Sequence, residues 1–122
     1  MVNSFRWGVA VLVMALVLSS HSMVSDQVIR TALRITVLDN LGSKVTGASV
    51  ILYNNEEDYR NSEHPVLEAQ ITDNKGRVTF RGLEEKVYFV DVQMGDLNNV
   101  GLAVQTDTLQ PNLINKVNIV IE

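Results

Sequence analysis

The stretch Thr72–Val92, TDNKGRVTFRGLEEKVYFVDV, constrains this chain more than any other. Ile71 ends one alternating segment, and Thr72-Asp73-Asn74-Lys75-Gly76 makes a turn. Val78 and Phe80 then fall on one face, with Arg77, Thr79 and Arg81 on the other. After a second break at Gly82–Lys86, Tyr88, Val90 and Val92 alternate with Phe89, Asp91 and Gln93. A period of two bounded by Gly, Asp and Asn marks half-buried strands. Two such strands so close together predict an antiparallel meander with one buried face and one wet face.

The flanking sequence repeats the pattern. Leu33, Ile35 and Val37 alternate with Arg34 and Thr36, and the chain turns at Asp39–Ser43. Ala48, Val50 and Leu52 share one face of a strand over Val45–Tyr53, whose small Gly47 and Ala48 suit a start against a neighbouring backbone. Asn54–Pro65 (NNEEDYRNSEHP) has no apolar period and reads as a long polar loop. Leu67, Ala69 and Ile71 form another strand. Gly95–Asn99 breaks the chain, Val100–Thr106 and Leu109–Ile114 carry no clear period, and Val117, Ile119 and Ile121 end it on one face. Strands with turn signals at this spacing, and no helical period, indicate an all-β, seven-stranded Greek-key β-sandwich.

The first 22 residues read as processing. Arg6 precedes an unbroken apolar run, Gly8–Leu18, and small Ser20 and Ser22 follow, which is the order of a secretory signal peptide. An uncleaved membrane anchor is the alternative, although the run is short of the roughly 20 residues that span a bilayer. The expected domain is then residues 23–122. Ten cations and fourteen acids give a net charge of −4; removing residues 1–22 takes Arg6 and no acid, leaving nine against fourteen, or −5. That balance argues against nucleic acid and anionic lipid as partners. With no cysteine, disulfides, thiolate metal sites and Cys nucleophiles are excluded, and burial alone must hold the domain together.

Taken as an ordered set, Val37-x-Asp39-x-x-Gly42-x-x-Val45-x-Gly47-Ala48-x-Val50-x-Leu52, Thr72-Asp73-x-x-Gly76-x-x-x-Phe80-x-Gly82-Leu83 and Tyr88-x-Val90-x-Val92 resemble the carboxypeptidase regulatory-like domain. This is a prealbumin-like (transthyretin-like) sandwich, related to the B-type repeats of collagen adhesins. The resemblance spans about Arg30 to Gly95. It implies a secreted, periplasmic or cell-surface module, non-enzymatic, with a structural or adhesive role and no cofactor. Such relatives often carry an isopeptide bond from a first-strand Lys; here Leu33–Leu38 offers Arg34 and no Lys, which leaves Asn118 without that partner. Gly42, Gly47, Asp73, Gly76, Phe80, Gly82 and Tyr88 are expected to serve the fold and not chemistry.

Candidate sites are few. His64, the one histidine after residue 22, stands beside Pro65 with no nucleophile-elbow pattern near Ser62 or Ser49, and transthyretin-like hydrolases have a histidine-rich site that is absent here. Glu56-Glu57-Asp58 lacks the Gly and alternating acids of a Ca²⁺ loop. The expected recognition surface is therefore Asn54, Glu56, Glu57, Asp58, Tyr59 and Glu63, because loops on a rigid scaffold commonly carry recognition. Its partner is an unidentified protein or glycan of the cell envelope. A small carbohydrate-binding module using Tyr59 as a stacking platform, with Phe89 as a second exposed ring, is the alternative.

Overall fold

The computed structural model describes residues 30–122; the signal peptide expected over residues 1–22 lies outside them. The elements in order are β1 (Ala32–Leu38), β2 (Ser49–Tyr53), α1 (Glu56–Asn61), β3 (Gln70–Ile71), β4 (Arg77–Arg81), β5 (Phe89–Met94), β6 (Leu97–Asn98) and β7 (Ile114–Val120). The described chain is thus nearly all β, with one short helix. Its strands form two sheets, ordered β4-β1-β7 and β3-β2-β5-β6. β1 is central to the first, antiparallel to β4 and parallel to β7 over seven residue pairs from Ala32↔Ile114 to Leu38↔Val120. Among the described residues no helix is long and apolar enough to cross a membrane.

The alternation read from the sequence fills the space between the sheets. Leu33, Ile35, Val37, Val78, Phe80 and Ile119 from one sheet meet Val50, Leu52, Val90 and Val92 from the other, and Tyr88 joins them, all at 4% exposure or less. Each such side chain contributes about 1.5–3 kcal/mol on burial, which makes this layer the main source of stability.

The meander, however, does not exist. β4 pairs with β1, whereas β5 pairs with β2 and β6, so the chain crosses from one sheet to the other between Arg81 and Phe89. Inward-facing Phe80 and Tyr88 satisfy a period of two equally well side by side in one sheet or face to face across a core. The alternation could not separate those arrangements. A second correction concerns β3, where only Gln70 and Ile71 pair. Ile71 is 61% and Leu67 40% exposed, while Thr72 is buried. The Thr72 hydroxyl donates to the Val45 carbonyl (2.7 Å) and accepts from the Ala48 amide (2.9 Å), so a polar side chain, bonded on both sides, takes the inward position.

Two turns share one construction. Asp39 Oδ1 accepts from the amides of Leu41 and Ser43, and Asp73 Oδ1 from those of Lys75 and Arg77, all at 2.8–3.0 Å. Those bonds from Arg77 and Lys75 hold the Asp73 carboxyl below its usual range. Gly76 closes the second turn at φ +73°, and a Cβ there would lie 3.0 Å from the Val37 carbonyl oxygen. Gly47 departs from its expected reason: it needs the left-handed φ of +85°, and a Cβ would meet only the Met94 side chain at 3.6 Å.

Candidate interaction surface

Asn54–Pro65 is not a featureless loop. Residues Glu56–Asn61 form α1, and the local chemistry explains why. Asn55 is the N-cap: its Oδ1 accepts from the Asp58 amide (2.8 Å) while its Nδ2 donates to Asp58 Oδ2 (3.1 Å). Glu56, Glu57 and Asp58 occupy the first turn and Arg60 the last, matching the helix dipole at both ends. Arg60 pairs with Glu56 one turn away. Ser62 then caps the helix in the left-handed region at φ +53°. At six residues the helix is too short to display an apolar period, but the Asn cap, the acid run and the terminal Arg were all legible.

α1 lies on the outer face of the β2–β5 pair, and Tyr59 fixes it there. The Tyr59 ring stands edge-on to Tyr53 (centroids 6.1 Å, 75°) and tilted over Phe89 (6.2 Å, 35°). Tyr53 and Phe89 are register partners, so one row of the sheet becomes an aromatic seat. This explains why Tyr53, on the outward side of its strand, is only 2% exposed. It also answers the expectation for Tyr59: the ring is packed structure, and Phe89 is half-covered by it. Neither is a free platform for a sugar. Asp91 follows Phe89 by two residues on the same face; burial pushes its carboxyl upward, opposed by a bond from Gln93. Burial raises the Tyr59 phenol, and the Asp91 and Tyr53 charges add to that. Tyr59, Arg60, Ser62, Asp91, Gln93 and Val100 line a shallow groove of about 300 Å³.

The expected recognition residues separate by role. Asn54 accepts from Lys86 Nζ (3.0 Å), Asp58 is taken up by the cap and stands 3.3 Å from His64 Nδ1, and Glu56 is paired with Arg60. Glu57 and Glu63 remain exposed. Among the described residues no group of three or more His, Asp or Glu side chains is placed to hold a metal. Polar side chains inside the fold bond to backbone: Thr106 Oγ1 accepts from the Tyr88 amide (3.0 Å), and Thr31 Oγ1 from that of Asn112 (3.1 Å).

Sequence reasoning missed Asn99, which is wholly buried. Its Oδ1 accepts from the Val92 amide (3.0 Å), and its Nδ2 donates to the carbonyls of Val90 (2.9 Å) and Ala103 (3.2 Å). The side chain serves as a surrogate strand beside β5, where β6 has already ended. No local signal marks it, because two of the three groups it satisfies, on Val90 and Val92, lie on another strand.

No family model and no curated protein matches the chain. Among solved structures it is similar to the pilus 2b backbone protein of group B streptococcus, with a TM-score of 0.50 and 16% identity over 75% of this chain. It is also similar to BcpA, the major pilin subunit of Bacillus cereus, with a TM-score of 0.50 and 17% identity over 75% of this chain. The likeness extends over 40% and 29% of those two proteins, respectively, and is one of β-sandwich fold.

Proposed function

We propose that this chain is an exported, non-enzymatic structural module of the cell envelope. In this reading the signal occupies residues 1–22. Residues 23–122 form a Greek-key, prealbumin-type sandwich of the carboxypeptidase regulatory-like kind, and its recognition surface is the α1 side. One observation supports this above the others: the polar side chains at the turns and inside the sandwich are spent on the fold. Asp39 and Asp73 build turns, Asn55 caps α1 while the Asp58 carboxylate holds that cap's amide, and Thr72, Thr106 and Asn99 bond to backbone. What is left outward on a rigid two-sheet body is a short acidic helix, seated through its Tyr59 on the rings of Tyr53 and Phe89, with Glu57 and Glu63 facing solvent. Rigid placement of exposed polar groups is what recognition requires. The pilin subunits that share this fold are consistent with such a role.

The test is a photoreactive side chain at position 57 of the protein in its native envelope. The control carries it at Leu41, which is 87% exposed on the turn before β2, whereas α1 follows the other end of that strand. A discrete adduct from position 57 alone is expected. Equal labelling from both positions, or none from 57, would remove α1 as the recognition surface.

A further inference from the structure

The register of the first sheet assembles a feature that the sequence disperses. Read across β4-β1-β7, the outward rows are Arg81–Ala32–Ile114, Thr79–Arg34–Lys116 and Arg77–Thr36–Asn118. Four cations meet on this face, and β1, β4 and β7 contain no Asp or Glu. Arg34 and Lys116 are direct cross-strand partners, an arrangement that costs stability when nothing neutralises it. Arg34 donates to Thr79 Oγ1 (3.3 Å). The Glu56–Arg60 ion pair and the Asp58–His64 contact lie elsewhere, on the α1 side. The face continues into a groove of about 580 Å³ along the edge of β4, where Arg34, Lys75 and Arg77 contribute charge and Gln70, Asn74 and Thr79 contribute polar groups. Asp73, the acid in that groove, is committed to its turn by two backbone amides.

The opposite side of the sandwich has the complementary character. The two sheets share one core, so their outer faces point in opposite directions. α1 protrudes from the outer face of the β2–β5 pair with Glu57 and Glu63 exposed, Glu56 paired with Arg60, Asp58 beside His64, and Asp91 beneath. Acids thus predominate on one side of the molecule and the rows of cations lie on the other, with the groove opening at the edge between β4 and β3. The net charge of −4 disfavours contact between copies at long range, but screening beyond about 8 Å at physiological salt leaves the local complementarity to decide.

We propose that the basic outer face of the β4-β1-β7 sheet receives the acidic α1 ridge of a second copy of this chain, so that copies stack face to back. This rests on α1 being a recognition surface and names its occupant. The two patches differ and sit on opposite sides, so the contact is heterologous and propagates instead of closing as a two-fold dimer. The buried area is modest, which makes the contact weak, charge-dependent and dependent on local concentration.

Sedimentation velocity of the full chain across concentration and salt tests this. Species larger than a monomer should grow with concentration, and the association should weaken at least about tenfold between roughly 0.15 M, the low-salt condition in which the net repulsion is already screened, and roughly 1 M salt. Lys75→Glu/Lys116→Glu, at two exposed positions, and Glu56→Lys/Glu57→Lys should each stay monomeric, with thermal melts confirming that both are folded. Mixing the two variants should restore association, because one then carries acids on both faces and the other cations on both. If Glu56→Lys frays the helix, Glu57→Lys/Glu63→Lys provides the same reversal outside the Glu56–Arg60 pair. A wild type that is monomeric at low salt overturns the proposal, whether or not it binds heparin as an anionic probe. So does association that survives charge reversal, as contact through the apolar run Gly8–Leu18 would, or folded variants that fail to recover on mixing. A position-57 cross-link to a different protein would refute the second copy while leaving α1 as the recognition surface.

Discussion

Asn99→Ala offers the sharpest test of how the sandwich is held together. The side chain makes three hydrogen bonds, to the amide of Val92 and to the carbonyls of Val90 and Ala103, and is wholly buried. Truncation leaves the Val92 amide and the Val90 carbonyl without those partners beside the core. An orphaned buried group costs about 1–3 kcal/mol, so the variant should lose about 3 kcal/mol or more of a total near 5–15 kcal/mol. For a domain of this size that corresponds to a fall in Tm of at least roughly 12 °C. Urea unfolding followed by circular dichroism measures it. Asn99→Asp refines the test. A carboxylate still accepts from Val92, but its second oxygen faces two carbonyls, so that variant should gain stability on acidification as the carboxyl protonates and can donate. A loss below about 1 kcal/mol for Asn99→Ala, or no recovery of Asn99→Asp at low pH, would show that Asn99 is not the surrogate strand described.

Other outcomes follow from the same geometry. Gly76→Ala meets both the left-handed penalty of about 1–2 kcal/mol and the Val37 carbonyl at 3.0 Å, whereas Gly42→Ala, with nothing within 4 Å of the added carbon, meets the penalty alone; equal losses in urea would contradict the close approach. Because burial raises the folded Asp91 carboxyl above 3.8, its ionisation opposes folding as pH rises through the window above 3.8. Asp91→Asn should therefore melt above wild type at neutral pH, with the advantage gone below 3.8, and a variant that melts lower at pH 7 would reverse that sign. Asp73 has the opposite sign: its lowered carboxyl supports the fold above 3.8 and loses that support as pH falls through the folded value, so Asp73→Asn should lose most at neutral pH. No Lys lies among the buried residues, and a solvated ammonium is no nucleophile, so the intact mass should equal the sum of the residues; loss of one ammonia or water would reveal an isopeptide bond.

Legibility in the sequence followed the range of the interactions. Leu33, Ile35, Val37, Val50, Leu52, Phe80, Val90 and Val92 could be assigned to the core because strand alternation is a local rule, enforced at every second residue. Which strands pair is a non-local matter, and the expected β4–β5 meander failed there, since facing across the core and pairing within a sheet leave the same pattern. β3 failed differently: only two residues pair, and Thr72 reaches two backbone partners that no alternation reveals. α1 was readable in its cap and charges but hidden by its length. Tyr59 was read as an exposed stacking platform, whereas its packing is set by Tyr53 and Phe89, remote in sequence. The outward placement of Arg77 and Arg81 was legible locally, but the basic face as a whole was not, because they meet Arg34 and Lys116 only through the register of three strands.

The central claim, an exported structural module, is tested most directly by locating the protein and reading its N-terminus. Cells producing the chain are fractionated, the envelope and medium are assayed for it, and the recovered protein is sequenced from its first residue. An envelope or external protein beginning near Met23 is expected. Recovery of intact Met1–Glu122 from the cytoplasm would contradict it.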